Sequence, residues 1–175
     1  MIELLFARIA SPLGTLLVVA GPQILYALDF AEFEDRMLQR LRQRLGGFLL
    51  IQAANPLACR DRLQAYFAGE VDCLNSIPVD PAGTPFQQQV WSALRAIPAG
   101  ATLSYGQLAA QLGRPTASRA VGMANAQNPI AIVIPCHRVI GVKGQLTGYS
   151  GGCDRKRWLL QHEAASLKEF RLFGK

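Results

Sequence analysis

Histidine is nearly missing from this chain of 175 residues, which holds only two, and its four cysteines, at positions 59, 73, 136 and 153, include no CxxC pair. Those absences exclude the zinc-finger and zinc-ribbon spacings, so no structural metal is expected. Long apolar runs are missing too. The longest uncharged stretch, Ile9 to Leu28, is broken by Pro12, Gly14, Gly21 and Pro22 into strand-sized pieces unsuited to a membrane helix. The opening residues carry Glu3 and lack the basic region of a secretory signal. A cytoplasmic location with reduced thiols is therefore expected, and Cys59, Cys73 and Cys153 read as small buried apolar residues.

Acidic residues are scarce in the second half. Residues 1 to 83 hold 7 Lys/Arg against 9 Asp/Glu, a balance of −2, whereas residues 84 to 175 hold 11 against 3, a balance of +8. Such asymmetry points the second half toward an anionic partner, of which nucleic acid is the commonest.

What is present divides at NSIPVDPAG, residues 75 to 83, a linker rich in turn formers. An N-terminal domain over 1–80 and a C-terminal domain over 84–175 are expected. The first opens with a three-strand meander, ELLFARI, TLLVVA and ILYALDF, separated by SPLG and GPQ. Phe33, Met37, Leu41 and Leu45 then recur every four residues, the face of a helix covering the sheet. Asn55-Pro56 reads as the start of a second helix carrying Leu63, Tyr66 and Phe67.

The second domain announces its helices. Thr84-Pro85-Phe86-Gln87 and Ser104-Tyr105-Gly106-Gln107 are capping boxes, and Gly113 stops the helix that Ser104 opens. Thr116 is placed to cap a further helix from Ala117 to Ala126, which completes a helix-turn-helix pattern. On that helix Ala117, Ala120, Val121 and Ala124 form a candidate buried stripe, leaving Ser118, Arg119, Gly122 and Asn125 toward a groove.

Asn128-Pro129 ends the helix, and IAIVIP leads directly to Cys136. A cysteine acts as a nucleophile in its thiolate form, which needs a base or nearby cations; His137, Arg138 and Lys143 are close in sequence. Adjacent side chains point apart, so His137 would act on Cys136 through a water. The last clear helix, Asp154 to Leu167, places Glu163 on or beside its apolar face with Leu159 and Leu160. Either Glu163 turns in to orient His137, or it turns out to solvent together with His162; the residues alone do not rank the two. Glycines 141, 144, 148, 151 and 152 make the segment after the thiol a tightly folding loop with Tyr149 and Ser150 at its tip.

IPCHRV at 134–139, with SYGQLA at 104–109, RAVG at 119–122, Asn128-Pro129, GYSGG at 148–152 and RKRWLLQHE at 155–163, resembles the O6-alkylguanine-DNA alkyltransferases. The likeness is to the bacterial single-polypeptide form without a zinc domain. It implies an α+β fold, with a ribonuclease H-like N-terminal sheet and helices and a winged-helix-like C-terminal domain that offers its recognition helix to the minor groove. The implied reaction is irreversible, stoichiometric transfer of an alkyl group from flipped O6-alkylguanine, with O4-alkylthymine as a further candidate, to Cys136. No cofactor is implied. Double-stranded DNA is the implied partner and no membrane is, with the protein monomeric but able to cluster on DNA. The resemblance makes His137 the base and Glu163 its orienting group, while Tyr105 moves the target phosphate and protonates guanine. Arg119 fills the vacated stack beside Ser118 and Gly122, Asn128 is a hinge, and Val139, Tyr149 and Ser150 line the base pocket. Two other classes keep some of these features: a redox-sensing DNA-binding regulator built on Cys136, and a thiol hydrolase built on Cys136, His137 and Glu163. The hydrolase leaves the basic half unexplained.

Overall fold

The strand-sized apolar runs in the first thirty positions need further layers to bury them, and the computed structural model supplies them. It describes the backbone of residues 1–173 and side chains through residue 168. Strands β1 (Ile2–Ile9), β2 (Leu16–Ala20) and β3 (Leu25–Phe30) form the expected antiparallel meander. Helix α1 (Glu34–Leu45) lays Met37 and Leu41 on Leu4, Phe6, Leu17, Val19 and Ala27, with Leu45 at the margin. A fourth strand, β4 (Phe48–Gln52), pairs parallel to β1 and makes the sheet mixed, in the order β3-β2-β1-β4. It is an edge strand with Leu49, Leu50 and Ile51 exposed, so it lacks the one-sided burial that alternation reveals.

The helix expected at Asn55-Pro56 starts later. A 3-10 turn at Pro56–Ala58 puts Leu57 and Ala58 at positive φ, and α2 runs Cys59–Phe67. Asn55 still serves its start, because its side-chain oxygen accepts from the Arg60 amide at 2.8 Å.

Two compact units emerge. One comprises Met1–Ala68, Cys73–Ala82 and Pro129–Val133; the other comprises Gly69–Asp72, Gly83–Asn128 and Ile134–Lys175. In the first, Leu28 donates to the Pro129 carbonyl at 3.1 Å and accepts from the Ala131 amide at 2.8 Å. The chain before Cys136 therefore makes an excursion into the first unit. The IAIVIP segment is a turn here, with Ile132 at φ 68°, a conformation that a β-branched residue adopts only under strain.

The second unit contains α3 (Pro85–Ala96), β5 (Leu103–Ser104), α4 (Tyr105–Gln111), α5 (Ser118–Ala126), β6 (Val139–Ile140) and α6 (Cys153–Phe173). Both capping boxes close, with the Thr84 hydroxyl accepting from Gln87 at 3.2 Å and the Ser104 hydroxyl from Gln107 at 3.1 Å. After α4, Gly113 takes φ 71°, and the Gly113 and Arg114 amides bond back to Ala110 and Ala109. That turn delivers α5 as the second helix of a helix-turn-helix. Thr116 does not cap it: α5 begins at Ser118 behind Ala117, with no side-chain cap. Its buried face is Val121, Ala124 and Asn125, while Ala120 is exposed. Asn125 turns inward because its amide has a partner beside the thiol. Helix α6 runs past the expected end at Leu167 to Phe173; positions 174–175 lie outside the described residues. Among the described residues no helix is long and apolar enough to cross a membrane.

The capping boxes yield a direct test. Thr84→Ala removes the acceptor for the Gln87 amide, and chemical denaturation is expected to show a loss of about 1 kcal/mol with an unchanged m-value.

Candidate active site

Strands β5 and β6 pair in parallel, Leu103 with Val139 and Ser104 with Ile140. β5 runs straight into α4, whose first residue is Tyr105, and β6 leaves the 3-10 turn Cys136–Arg138. The pairing thus sets the Tyr105 phenol beside the thiol turn. Two asparagines at the end of α5 hold that turn: Asn125 donates to the Cys136 carbonyl at 3.2 Å and Asn128 to the Ile134 carbonyl at 2.8 Å. The Asn128 bond spans the Pro129–Val133 excursion and closes it where the chain returns.

Glu163 turns inward. Its carboxylate is fully buried and lies 2.9 Å from His137 Nε2; Arg138 grips it as a fork, with Nη2 at 2.8 Å from Oε1 and Nε at 3.0 Å from Oε2. The remaining Arg138 nitrogen donates to the Ile97 carbonyl at 2.5 Å. Burial pushes the Glu163 carboxyl up, but the hydrogen bonds from His137 and Arg138 and the Arg138 charge outweigh it and hold the acid well below the usual carboxylate range. Burial drives the His137 pKa down, only partly opposed by Glu163, so the ring is neutral near pH 7. A neutral imidazole has one N–H, and a carboxylate only accepts. Nε2 must therefore carry the proton, which leaves Nδ1, buried and without a hydrogen-bond partner, as a lone-pair base. The bidentate Arg138 pair offsets the desolvation of the whole triad.

Cys136 itself is buried, 3% exposed. Tyr105 is half-buried and donates to the Thr147 carbonyl at 2.9 Å; burial raises its pKa, with the nearby Cys136 and Cys153 adding to the rise, so it keeps its proton. Tyr149 is buried rather than at a loop tip, while Ser150 is partly exposed. Arg119 stands exposed on α5, Ser118 is partly exposed, and Gly122 packs on the Tyr105 ring, where an added Cβ would sit 3.7 Å away. The other thiols separate by environment. Cys59 is inaccessible, and burial pushes its thiol up to about 11. Cys153 is exposed at the first position of α6, not buried as expected.

Sequence reasoning missed three groups. Arg138, expected beside the thiol, neutralises Glu163. Asn125, expected on the groove side, faces inward. Lys156 is fully buried, its ammonium donating to the Val139 carbonyl at 2.5 Å and the Thr147 carbonyl at 2.9 Å. Its spacing was a usable signal, since Lys156, Leu159 and Glu163 lie at i, i+3 and i+7 on one helical face.

A helix-turn-helix unit that seats a buried Cys-His-Arg turn on one carboxylate is a DNA-binding thiol enzyme in form. The chain belongs to the 6-O-methylguanine DNA methyltransferase family: residues 4–81 match its ribonuclease-like domain and residues 85–165 its DNA binding domain. It is 51% identical over 170 residues to a methylated-DNA–protein-cysteine methyltransferase of Shigella flexneri, and 53% identical over 170 residues to that of Salmonella typhimurium. Each alignment covers 95% of this chain and 99% of the relative. Among solved structures, Mycobacterium tuberculosis OGT in complex with DNA superposes with TM-score 0.77 at 41% identity, covering 94% of both chains. The O6-methylguanine-DNA methyltransferase of Pyrococcus kodakaraensis gives TM-score 0.72 at 26% identity, covering 91% of this chain and 98% of that one.

The depressed pKa values set the sign of the pH response. The neutral His137 stabilises the fold above its unfolded pKa of about 6.5 and that contribution is lost as pH falls; the ionised Glu163 contributes above about 4.3 and its share is lost below. Urea titrations of the wild type should show stability declining in those two windows. Glu163→Gln leaves Arg138 buried without its counter-charge, so at pH 7 it is expected to cost about 3–5 kcal/mol, and the gap to wild type should narrow below about pH 4.3.

Proposed function

We propose that this chain repairs alkylated DNA directly, by moving the alkyl group from O6 of guanine in duplex DNA onto Cys136, once per molecule. The observation that carries the reading is the buried Glu163 fixing His137 with Nε2–H toward the carboxylate and Nδ1 as base, in the same turn as the thiol. The family and its DNA binding domain supply the substrate class.

The steps balance. The thiol proton passes through a water to His137 Nδ1, and the resulting imidazolium is stabilised by Glu163. Sγ attacks the alkyl carbon in line; the C–S bond forms as the C–O6 bond breaks, and the electron pair leaves with guanine. Tyr105, which keeps its proton, gives it to the departing base and recovers one from solvent as His137 returns to neutral. The product is a thioether, which no group in the site hydrolyses, so there is no second turnover and no cofactor is required.

The base must leave the stack first, at a cost of a few kcal/mol that is lower for a weakly paired lesion. Arg119 on α5 takes the vacated place, Tyr105 turns the target phosphate, and Ser118 and Gly122 let the helix backbone approach the strand. Val139, Tyr149 and Ser150 receive the base, and Asn128 ties α5 to the thiol turn so that binding and alkylation are felt by both. The protein acts as a cytoplasmic monomer, and copies gather along DNA; O4-alkylthymine is a second substrate.

Intact-protein mass after incubation with a duplex carrying one O6-methylguanine tests the reaction. A gain of one methylene, saturating at one per protein and absent in Cys136→Ala, is expected; repeated turnover on an ester would favour a hydrolase, and operator-specific binding without an adduct a redox regulator. Arg119→Ala should slow transfer from duplex about tenfold or more yet leave transfer from a single strand within about threefold, because only the duplex needs its stack refilled.

A further inference from the structure

Arg8, Arg36, Arg44, Arg138 and Arg157 each pair with a carboxylate of the chain. Arg114 does not. Among the described residues its guanidinium makes no ion pair and no hydrogen bond; the interaction it does make is with the face of the Phe86 ring, 5.2 Å from Cζ to the ring centre. A cation seated on a π face keeps all five of its N–H donors for another acceptor. Arg114 is exposed and Phe86 half-buried, so the ring is anchored and the fork stands in solvent.

The seat is fixed from both sides. The Arg114 amide bonds back to the Ala109 carbonyl at 2.9 Å, and its carbonyl accepts the Ala117 amide at 2.9 Å, with Pro115 restricting the step between them. Phe86 is the second residue of α3, inside the closed capping box of Thr84 and Gln87. Gln87 donates to the Gln127 side chain at 2.6 Å, which ties the first turn of α3 to the end of α5. Backbone and ring therefore hold this cation in the turn of the helix-turn-helix, just ahead of α5. A planar fork of donors fits two oxygens of a phosphate, and a side chain held in advance loses less entropy on binding it. Residues 84 to 175 carry the +8 balance, and the DNA binding domain matched by residues 85–165 includes both Phe86 and Arg114. The acceptor that fits is a phosphate of the DNA backbone.

We propose that Arg114, seated on Phe86, is a backbone clamp: it takes a phosphate of duplex DNA as α5 enters the groove and fixes the register of that helix over the base to be flipped. This rests on α5 being the DNA-facing helix, as in the repair reading, and adds a contact that the transfer chemistry does not use.

Fluorescence anisotropy with an undamaged duplex, over about 50 to 200 mM potassium chloride, compares wild type, Arg114→Gln, Arg114→Lys and Phe86→Leu. Arg114→Gln is expected to reduce the slope of log affinity against log salt by about 0.9, the value of one phosphate contact, and to weaken binding about threefold or more at the low-salt end. Arg114→Lys restores the slope. Phe86→Leu keeps the charge and the slope, yet should weaken binding about twofold or more because the fork is no longer held in place. With a duplex carrying O6-methylguanine, the half-saturating concentration for single-turnover transfer should rise with the lost affinity while the maximal rate stays within about twofold. A slope change below about 0.3 in Arg114→Gln overturns the proposal, and this variant decides alone if Phe86→Leu does not melt cooperatively. Unchanged affinity in a folded Phe86→Leu overturns it in favour of a diffuse charge effect. A maximal transfer rate that falls while affinity holds overturns it in favour of a role in the chemistry. If the wild type transfers nothing but the salt slopes differ as expected, the clamp is upheld and the repair reading alone is overturned.

Discussion

One buried carboxylate organises the reactive half of this protein. Glu163 lies on the inward face of α6, and its charge sets how His137 and Arg138 bond around it. Arg138 neutralises it through a bidentate pair, which makes burial tolerable. His137 gives it an N–H, which settles the tautomer of a ring that burial has already kept neutral. The carboxylate thus holds the imidazole in one orientation, as the third member of a triad does in other nucleophilic enzymes. Of the three consecutive residues of the turn, His137 and Arg138 bond to Glu163 on α6, while the Cys136 carbonyl is held by Asn125 on α5.

The thiol turn is also tied to the DNA-binding side of the unit. Asn125 and Asn128, one turn apart at the end of α5, bond to carbonyls on either side of Pro135, so movement of α5 and movement of the turn are mechanically linked. Between them the chain makes its excursion through the first unit, with a strained Ile132 on the way. On the proposed reaction, a product that adds bulk at Cys136 would act on a segment whose hydrogen bonds reach α5 directly. The helix-turn-helix and the chemistry are one constellation for that reason.

Much of this was legible from residue order because local chemistry dictated it. Two capping boxes and Gly113 set the starts and the turn of the helical half, and side-chain oxygens do in the structure what that spacing implies. The meander followed from apolar runs bounded by turn formers, and α1 from its one apolar face. β4 was not legible, since an exposed edge strand buries neither face and carries no alternation. Thr116 looked like a cap and is not one, because α5 starts two residues later. The orientation of Glu163 could not be chosen from spacing, which allowed it in or out; its long-range partners decided the matter. Lys156 and Asn125 escaped for the opposite reason. Polar side chains were read as solvent-facing, and tertiary carbonyl partners overrode that preference. The resemblance in IPCHRV carried the chemistry further than composition or periodicity could.

Whether His137 can serve Cys136 depends on which of its ring nitrogens holds the proton. Nitrogen-15 NMR of the protein labelled in histidine reads this directly, with His137→Gln used to assign the signal. At pH 7 a neutral His137 ring with a protonated Nε2 and a proton-free Nδ1 is expected, persisting below pH 6.5 because burial lowers its pKa. A proton on Nδ1, or an imidazolium at neutral pH, would leave Cys136 without its base and contradict the central claim.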